Sequence, residues 1–263
     1  MRTASHRRFA GSGILALACA IFTVSAAVGA EIRVVTSGAF TAAYLELAPK
    51  YESTTHNKIV TEFGPSMGTT HNAIPMRLAR GEAIDVVIMA APALGELIQQ
   101  GKVEPKSRVD LVQSNIGMAV RAGAFRPDIS TVEALKRTLL AAKSIAYSDS
   151  ASGVYLVTEL FPKLGIADQI AGKARKIEAD PVGGVLAKGE AEIGFQQISE
   201  LRPVKGIDIV GPLPPGAQRV TVFAAGIPTT STHPEAAKAL IQWLASPSAY
   251  PAIRKSGLEP VSR

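Results

Sequence analysis

Cysteine is almost absent from this chain: Cys19 is the only one in 263 residues. It falls in an N-terminal segment expected to be removed, so disulfides and thiol chemistry are excluded from the folded part. Histidine is nearly as scarce. His56, His71 and His233 follow that segment, none paired at metal-ligand spacing, and no metal site is expected. No Lys/Arg cluster with interleaved aromatics occurs, which argues against a nucleic-acid partner. No Walker or Rossmann glycine pattern is present, Gly183-Gly184 being too little for one, and no cofactor is expected.

The one long uncharged apolar run is Gly13 to Ala27, preceded by Arg2, Arg7 and Arg8 and followed by the small residues Val28-Gly29-Ala30. This is the pattern of a cleavable signal peptide over residues 1–30. It is too short and Ala-rich for a comfortable membrane span of about 20 residues. Phe9 follows Arg7-Arg8 directly, against twin-arginine spacing, and Ala16 stands where a lipoprotein signal before Cys19 places Leu. General export to the periplasm is therefore expected. Removing three arginines from the 28 Lys and Arg leaves 25 against 22 acids, so the folded part is only weakly basic.

From Glu31 onward, short β-type runs alternate with helical patterns. Asp85-Val86-Val87-Ile88-Met89 is almost wholly apolar, as in a strand covered on both faces. The spacing predicts further strands at 32–35, 58–63, 116–120, 144–147, 176–178, 191–196 and 220–225. Helices are expected over 40–51, 72–80, 93–100, 132–140, 153–164 and 184–188. A last amphipathic helix begins near Pro234, with Thr232 as its N-cap. Alternation of this kind argues for doubly wound α/β architecture. Two rounds of it predict two lobes, residues 31–111 with 224–263 and residues 112–223. The Pro-rich stretch Gly211 to Gly216 reads as a surface loop or a connector between the lobes.

The strand-to-helix turns hold the functional signal. They read Thr36-Ser37-Gly38-Ala39, Gly64-Pro65-Ser66-Met67-Gly68-Thr69-Thr70, Ser148-Asp149-Ser150-Ala151-Ser152-Gly153 and Pro181-Val182-Gly183-Gly184. Helix N-termini carry unpaired N–H groups and about half a positive charge. In open α/β sheets they gather at the carboxyl edge, where ligands bind. Several of them around one cleft would hold an anion without Lys or Arg, with Ser37, Ser66 and Ser152 adding hydroxyls. Each turn alone is an ordinary structural one. Gly64-Pro65-Ser66-Met67-Gly68 also fits the G-x-S-x-G nucleophile elbow of α/β-hydrolases. Of its required partners only His233 is distant enough, and its place at a helix start is explained by capping.

These residues resemble the molybdate-type solute-binding proteins of ABC importers, which have the type 2 periplasmic binding fold. The likeness lies in the opening strand with Thr36 to Thr41, in Phe63-Gly64-Pro65-Ser66, and in Ala79 to Ile88. Later echoes are Ser152-Gly153-Val154-Tyr155, Lys188 to Gly194, and Ser246-Pro247. It implies a non-enzymatic, monomeric binding protein that takes a small anion, molybdate or tungstate, in an interlobe cleft and delivers it to a membrane permease. The ligand would be held by Ser37, Ala39, Ser66, Ser152, Gly153, Val182 and Gln197. Ala39 falls where the family has a binding Ser, and Gln197 where it has a closing Tyr. The Gln amide also reads a carboxylate or a neutral solute. A small-carboxylate binding protein, a sensor and a serine hydrolase using Ser66 stand as alternatives.

Overall fold

A computed structural model describes residues 1, 29–178 and 180–261. Residues 2–28 of the expected signal segment lie outside the described residues. The chain order is β1 (Glu31–Thr36), α1 (Gly38–Thr55), β2 (Lys58–Phe63), α2 (Ile74–Ala79), β3 (Val86–Ala90), α3 (Ala91–Gln99), β4 (Val109–Ser114) and β5 (Ile116–Arg121). Next come α4 (Val132–Ala141), β6 (Ile145–Ser148), α5 (Ala151–Tyr155), a π turn (Leu156–Leu160), α6 (Phe161–Lys163), α7 (Ala167–Ile170), β7 (Ala174–Ile177), α8 (Val182–Ala187), β8 (Ile193–Gln197) and α9 (Ile198–Leu201). The remainder is β9 (Ile207–Pro212), β10 (Thr221–Gly226), α10 (Pro234–Leu244), α11 (Tyr250–Lys255) and β11 (Glu259–Pro260).

Two sheets result, in the orders β11-β4-β10-β3-β1-β2 and β7-β6-β8-β5-β9. Each has a parallel set, β2-β1-β3 in the first and β7-β6-β8 in the second, bordered on one side by a strand antiparallel to it, β10 and β5 respectively. The chain passes between sheets at Asn115 and again over residues 213–220. The second passage contains most of the Pro-rich stretch. Gly211 and Pro212 instead end β9, paired with Met118 and Gly117.

Strand alternation sorts the first core into two layers. Val34, Val86 and Ile88 pack with Phe40, Tyr44, Leu47 and Tyr51 of α1 and with Leu240, Ile241 and Leu244 of α10. Val35, Val87 and Met89 face the other way, onto α2 and α3 through Ile74, Leu78, Leu94 and Leu97. The second sheet is covered likewise. Met118, Ile145 and Phe195 meet Leu135 and Leu139 of α4, whereas Ala119 and Ala146 meet Val182, Val185 and Leu186 of α8. Both sheets are thus helix-covered on both faces, as doubly wound lobes require.

The last long helix corrects one local expectation. His233, not Thr232, is the N-cap of α10, and it makes no side-chain cap. The acceptor comes from the far end of the sequence: Asp85 Oδ1 takes hydrogen bonds from Ser231 Oγ (2.7 Å), Thr232 N and His233 N (both 3.0 Å). Thr232 Oγ1 turns to His233 Nδ1 instead.

Candidate functional site

The carboxyl ends of β1, β2, β6 and β8 converge on one cavity of about 580 Å³ between the lobes. Its size is in the range of small-molecule clefts, about 300–1,000 Å³. The lobes meet across it. Ala151 at the start of α5 packs on the first-lobe core, and Arg202 Nη1, after α9, donates to the Lys255 carbonyl of α11. At the tightest point Gly38 opens α1 directly against the Glu200 carboxyl, where even a methyl group would overlap Oε1.

Four of the seven expected ligand residues, Ser37, Ala39, Ser152 and Gln197, line the cavity. Ser37 is the buried N-cap of α1, but its side chain makes no cap bond. Its Oγ has no hydrogen-bond partner among the described residues, and the same holds for Gln197 Oε1. Gln197 Nε2 lies 3.3 Å from Thr221 Oγ1, and Ser152 Oγ lies 2.8 Å from Ser148 Oγ.

The other three, Ser66, Gly153 and Val182, are not among the lining residues. Ser66 is buried, and its Oγ accepts from Ala90 N at 2.9 Å, which ties the β2–α2 turn to the end of β3. No hydrogen bond joins it to a histidine among the described residues, and His233 faces Asp85 at 3.6 Å instead. The hydrolase alternative therefore lacks its base. Val182 N already donates to Gln196 Oε1 at 3.0 Å, and its side chain packs against Gly194. Gly153 is pressed against the Ser148 carbonyl so closely that a Cβ would overlap it.

Sequence reasoning missed the polar run that follows β8. Gln196, Ser199 and Glu200 all line the cavity, and the signal available was Gln196-Gln197-Ile198-Ser199-Glu200 directly after an apolar strand. Ser199 is buried, and its Oγ is a third cavity-lining polar atom without a partner among the described residues. Buried polar atoms are nearly always paired; Thr70 Oγ1 and Ser114 Oγ, away from the lining, are also unpaired among the described residues.

Glu200 is partly buried at the cavity wall, and Gln196 Nε2 donates to its Oε1 at 3.0 Å. Loss of hydration among closely packed protein atoms pushes its pKa up to about 7. The hydrogen bonds from Gln196 and from the Gln197 backbone pull the other way, and the Asp149 charge adds to the rise. Asp149 and Asp180 share the lining, while none of the described lining residues is Lys or Arg. The wall thus combines hydroxyl and amide groups with carboxyls, one of which has its pKa pushed well above the usual carboxylate range by burial. No group of three His, Cys, Asp or Glu able to hold a metal occurs among the described residues.

Comparison with known proteins follows this geometry. The chain is similar to an aconitate isomerase of a Pseudomonas species, 53% identical over 230 residues and covering 88% of each protein. It is 26% identical to a molybdate-binding protein of Azotobacter vinelandii over 258 residues, 94% of each. The solved structure of the A. vinelandii periplasmic molybdate-binding protein superposes with a TM-score of 0.68 at 22% identity, covering 88% of this chain and 99% of that one, which supports the type 2 fold. The model of the family described as bacterial extracellular solute-binding protein matches residues 32–259, and the chain belongs to that family.

Proposed function

We infer that the interlobe cavity takes a small unsaturated polycarboxylate of the aconitate type and interconverts its isomers. The observation that carries this reading is the Glu200 carboxyl at the cavity wall, held by Gln196 and closed on by Gly38, its pKa pushed up to about 7 by burial, beside the unpaired hydroxyls of Ser37 and Ser199. Acid–base chemistry at neutral pH uses a carboxyl of this kind. The aconitate isomerase relative supports the substrate class. The cavity volume suits a six-carbon acid better than a compact tetrahedral oxyanion.

Family membership and the contact between lobes favour a second reading. There the protein is a periplasmic, monomeric binding component that closes on molybdate, tungstate or a small carboxylate and delivers it to an ABC permease. Melting the protein with cis- and trans-aconitate, molybdate and tungstate, and following trans-aconitate by NMR, separates the two. A ligand at 100 times its Kd stabilises by about 2.7 kcal/mol. A shift with aconitate plus appearance of the other isomer supports the first reading. A shift with aconitate and no turnover leaves the binding role, and a shift with molybdate or tungstate alone overturns the polycarboxylate.

A further inference from the structure

Moving aconitate between its isomers needs one of two chemistries. A nucleophile adds to the double bond, allows rotation and leaves again, or a proton moves from one carbon to another and the double bond moves with it. The usual nucleophile for reversible addition is a thiol, and residues 31–263 contain none. The carbon skeleton suits the second route. Aconitate is an allyl unit with a carboxylate on each of its three carbons, so removing a proton from the CH2 carbon and returning it to the opposite terminus regenerates aconitate. Its geometry is then set by the conformation held in between.

Resting on the reading above, we propose that Glu200 carries this proton, with Gln196 as its positioning residue. The Glu200 carboxylate takes a proton from the CH2 carbon, and the C–H electron pair enters the allyl system and spreads onto the attached carboxylates. Protonated Glu200 then gives the proton to the far carbon, and the double bond re-forms at the other side. Nothing is oxidised, reduced or consumed, and the carboxylate is restored. The developing oxygen charge falls near uncharged donors, the buried hydroxyls of Ser37 and Ser199 at the cavity wall. Donors placed before the charge arrives stabilise it most effectively.

Gln196 holds the carrier in place. Its Oε1 is anchored by Val182 N and its Nε2 donates to Glu200 Oε1, both at 3.0 Å. Across the cleft, the Gly38 backbone closes on the same oxygen, and any side chain there would displace it. Asp149 and Asp180 are the other ionisable groups lining the cavity. The bond from Gln196 Nε2 and the approach of Gly38 fix the direction of the Glu200 carboxyl.

The test incubates the protein with trans-aconitate in D2O and reads both the cis isomer and deuterium at the CH2 position by NMR. Wild type is expected to give both. Glu200→Gln should slow both by about 100- to 10,000-fold, while its aconitate Kd stays within about tenfold. Glu200→Asp, one methylene shorter, should keep slow exchange. The kcat/KM of wild type should rise with pH through about 7. Gln196→Leu, which removes a bond favouring the carboxylate, should move that limb to higher pH, an effect a purely structural role would not produce. An active wild type with an equally active Glu200→Gln variant overturns the proposal and leaves the isomerase reading intact. A wild type that neither isomerises nor exchanges overturns the reading and the proposal with it. Should Glu200→Gln fail to fold, the pH profile decides: no limb between pH 5 and 9 refutes Glu200.

Discussion

Asp85 joins sequence-distant parts of the first lobe, and replacing it with Asn makes a quantitative test of the fold. Its side chain is buried. Oδ2 accepts from Arg33 N at 2.9 Å, and Oδ1 accepts from Ser231 Oγ, Thr232 N and His233 N. Every one of these is a donor. An Asn side chain offers one oxygen and one NH2, so at least one backbone N–H must then face another donor. A hydrogen bond to a charged group is worth about 1.5–3 kcal/mol and a neutral one about 0.5–1.5. One bond lost and three weakened would sum to more, but bonds sharing one carboxylate do not add in full, and about 3 kcal/mol is a fair expectation. At about 2–4 °C per kcal/mol for a chain of this size, Asp85→Asn should lower Tm by about 6–12 °C at pH 7. The pH dependence gives an internal control. Burial disfavours the Asp85 charge, but the hydrogen bonds from Arg33, Ser231, His233 and Thr232 outweigh it and hold the pKa below its ordinary 3.8. A lowered carboxyl pKa contributes stability that is present above the unfolded value and lost as pH falls through the folded one. The gap between wild type and variant should therefore begin to close as pH falls below about 4 and vanish only below the folded pKa, where Asp85 is neutral in both folded and unfolded chains. Thermal unfolding at pH 7 and at pH 3 reads both points. A Tm change under 2 °C at pH 7, or a gap that persists undiminished in acid, would refute the reasoning.

Ser199→Ala removes a buried hydroxyl that has no partner among the described residues. The ligand-free protein should gain up to about 1 kcal/mol of stability while aconitate binding weakens by about 0.5–1.5 kcal/mol, read by melting and by calorimetry. Gly153→Ala would force a methyl group into the Ser148 carbonyl. Overpacking costs about 1–3 kcal/mol, and because the β6–α5 turn carries Ser148 and Ser152 on the cavity wall, ligand affinity should fall along with Tm. Gly38→Ala places its methyl on Glu200 Oε1, in the other lobe. Its effect should appear in ligand affinity more than in the Tm of the ligand-free protein, and an unchanged Kd would argue that the lobes do not need this contact.

What the sequence could reveal depended on whether the physics was local. Strand β3 was legible because a strand buried on both faces has no polar positions to disguise it. The two lobes followed from two rounds of β/α alternation, and Ser37, Ala39 and Ser152 from the rule that ligands meet the carboxyl edge of such sheets. Strands β4 and β9 escaped notice. Val109-Asp110-Leu111-Val112-Gln113-Ser114 and Ile207-Asp208-Ile209-Val210-Gly211-Pro212 carry polar or turn residues, and only their places in the sheets define them as strands. The expected residues that do not line the cavity share a feature. Val182 N looks available in sequence, yet a side chain fourteen positions later satisfies it. Ser66 Oγ accepts from a backbone N–H twenty-four positions later, which leaves only its O–H to donate. Glu200 reads as an ordinary residue of a four-residue helix until Gly38, from the opposite lobe, is laid against it. Donor patterns at helix starts locate an anion site, but which donors remain unspent depends on long-range pairing. The raised pKa of Glu200 likewise belongs to the folded packing: loss of hydration drives it, with Gly38 of the opposite lobe laid against the carboxyl, while the hydrogen bonds from Gln196 and the Gln197 backbone oppose it. Strand-to-helix turns that place the cavity are local features, whereas the state of the carboxyl at its wall is set where the two lobes pack.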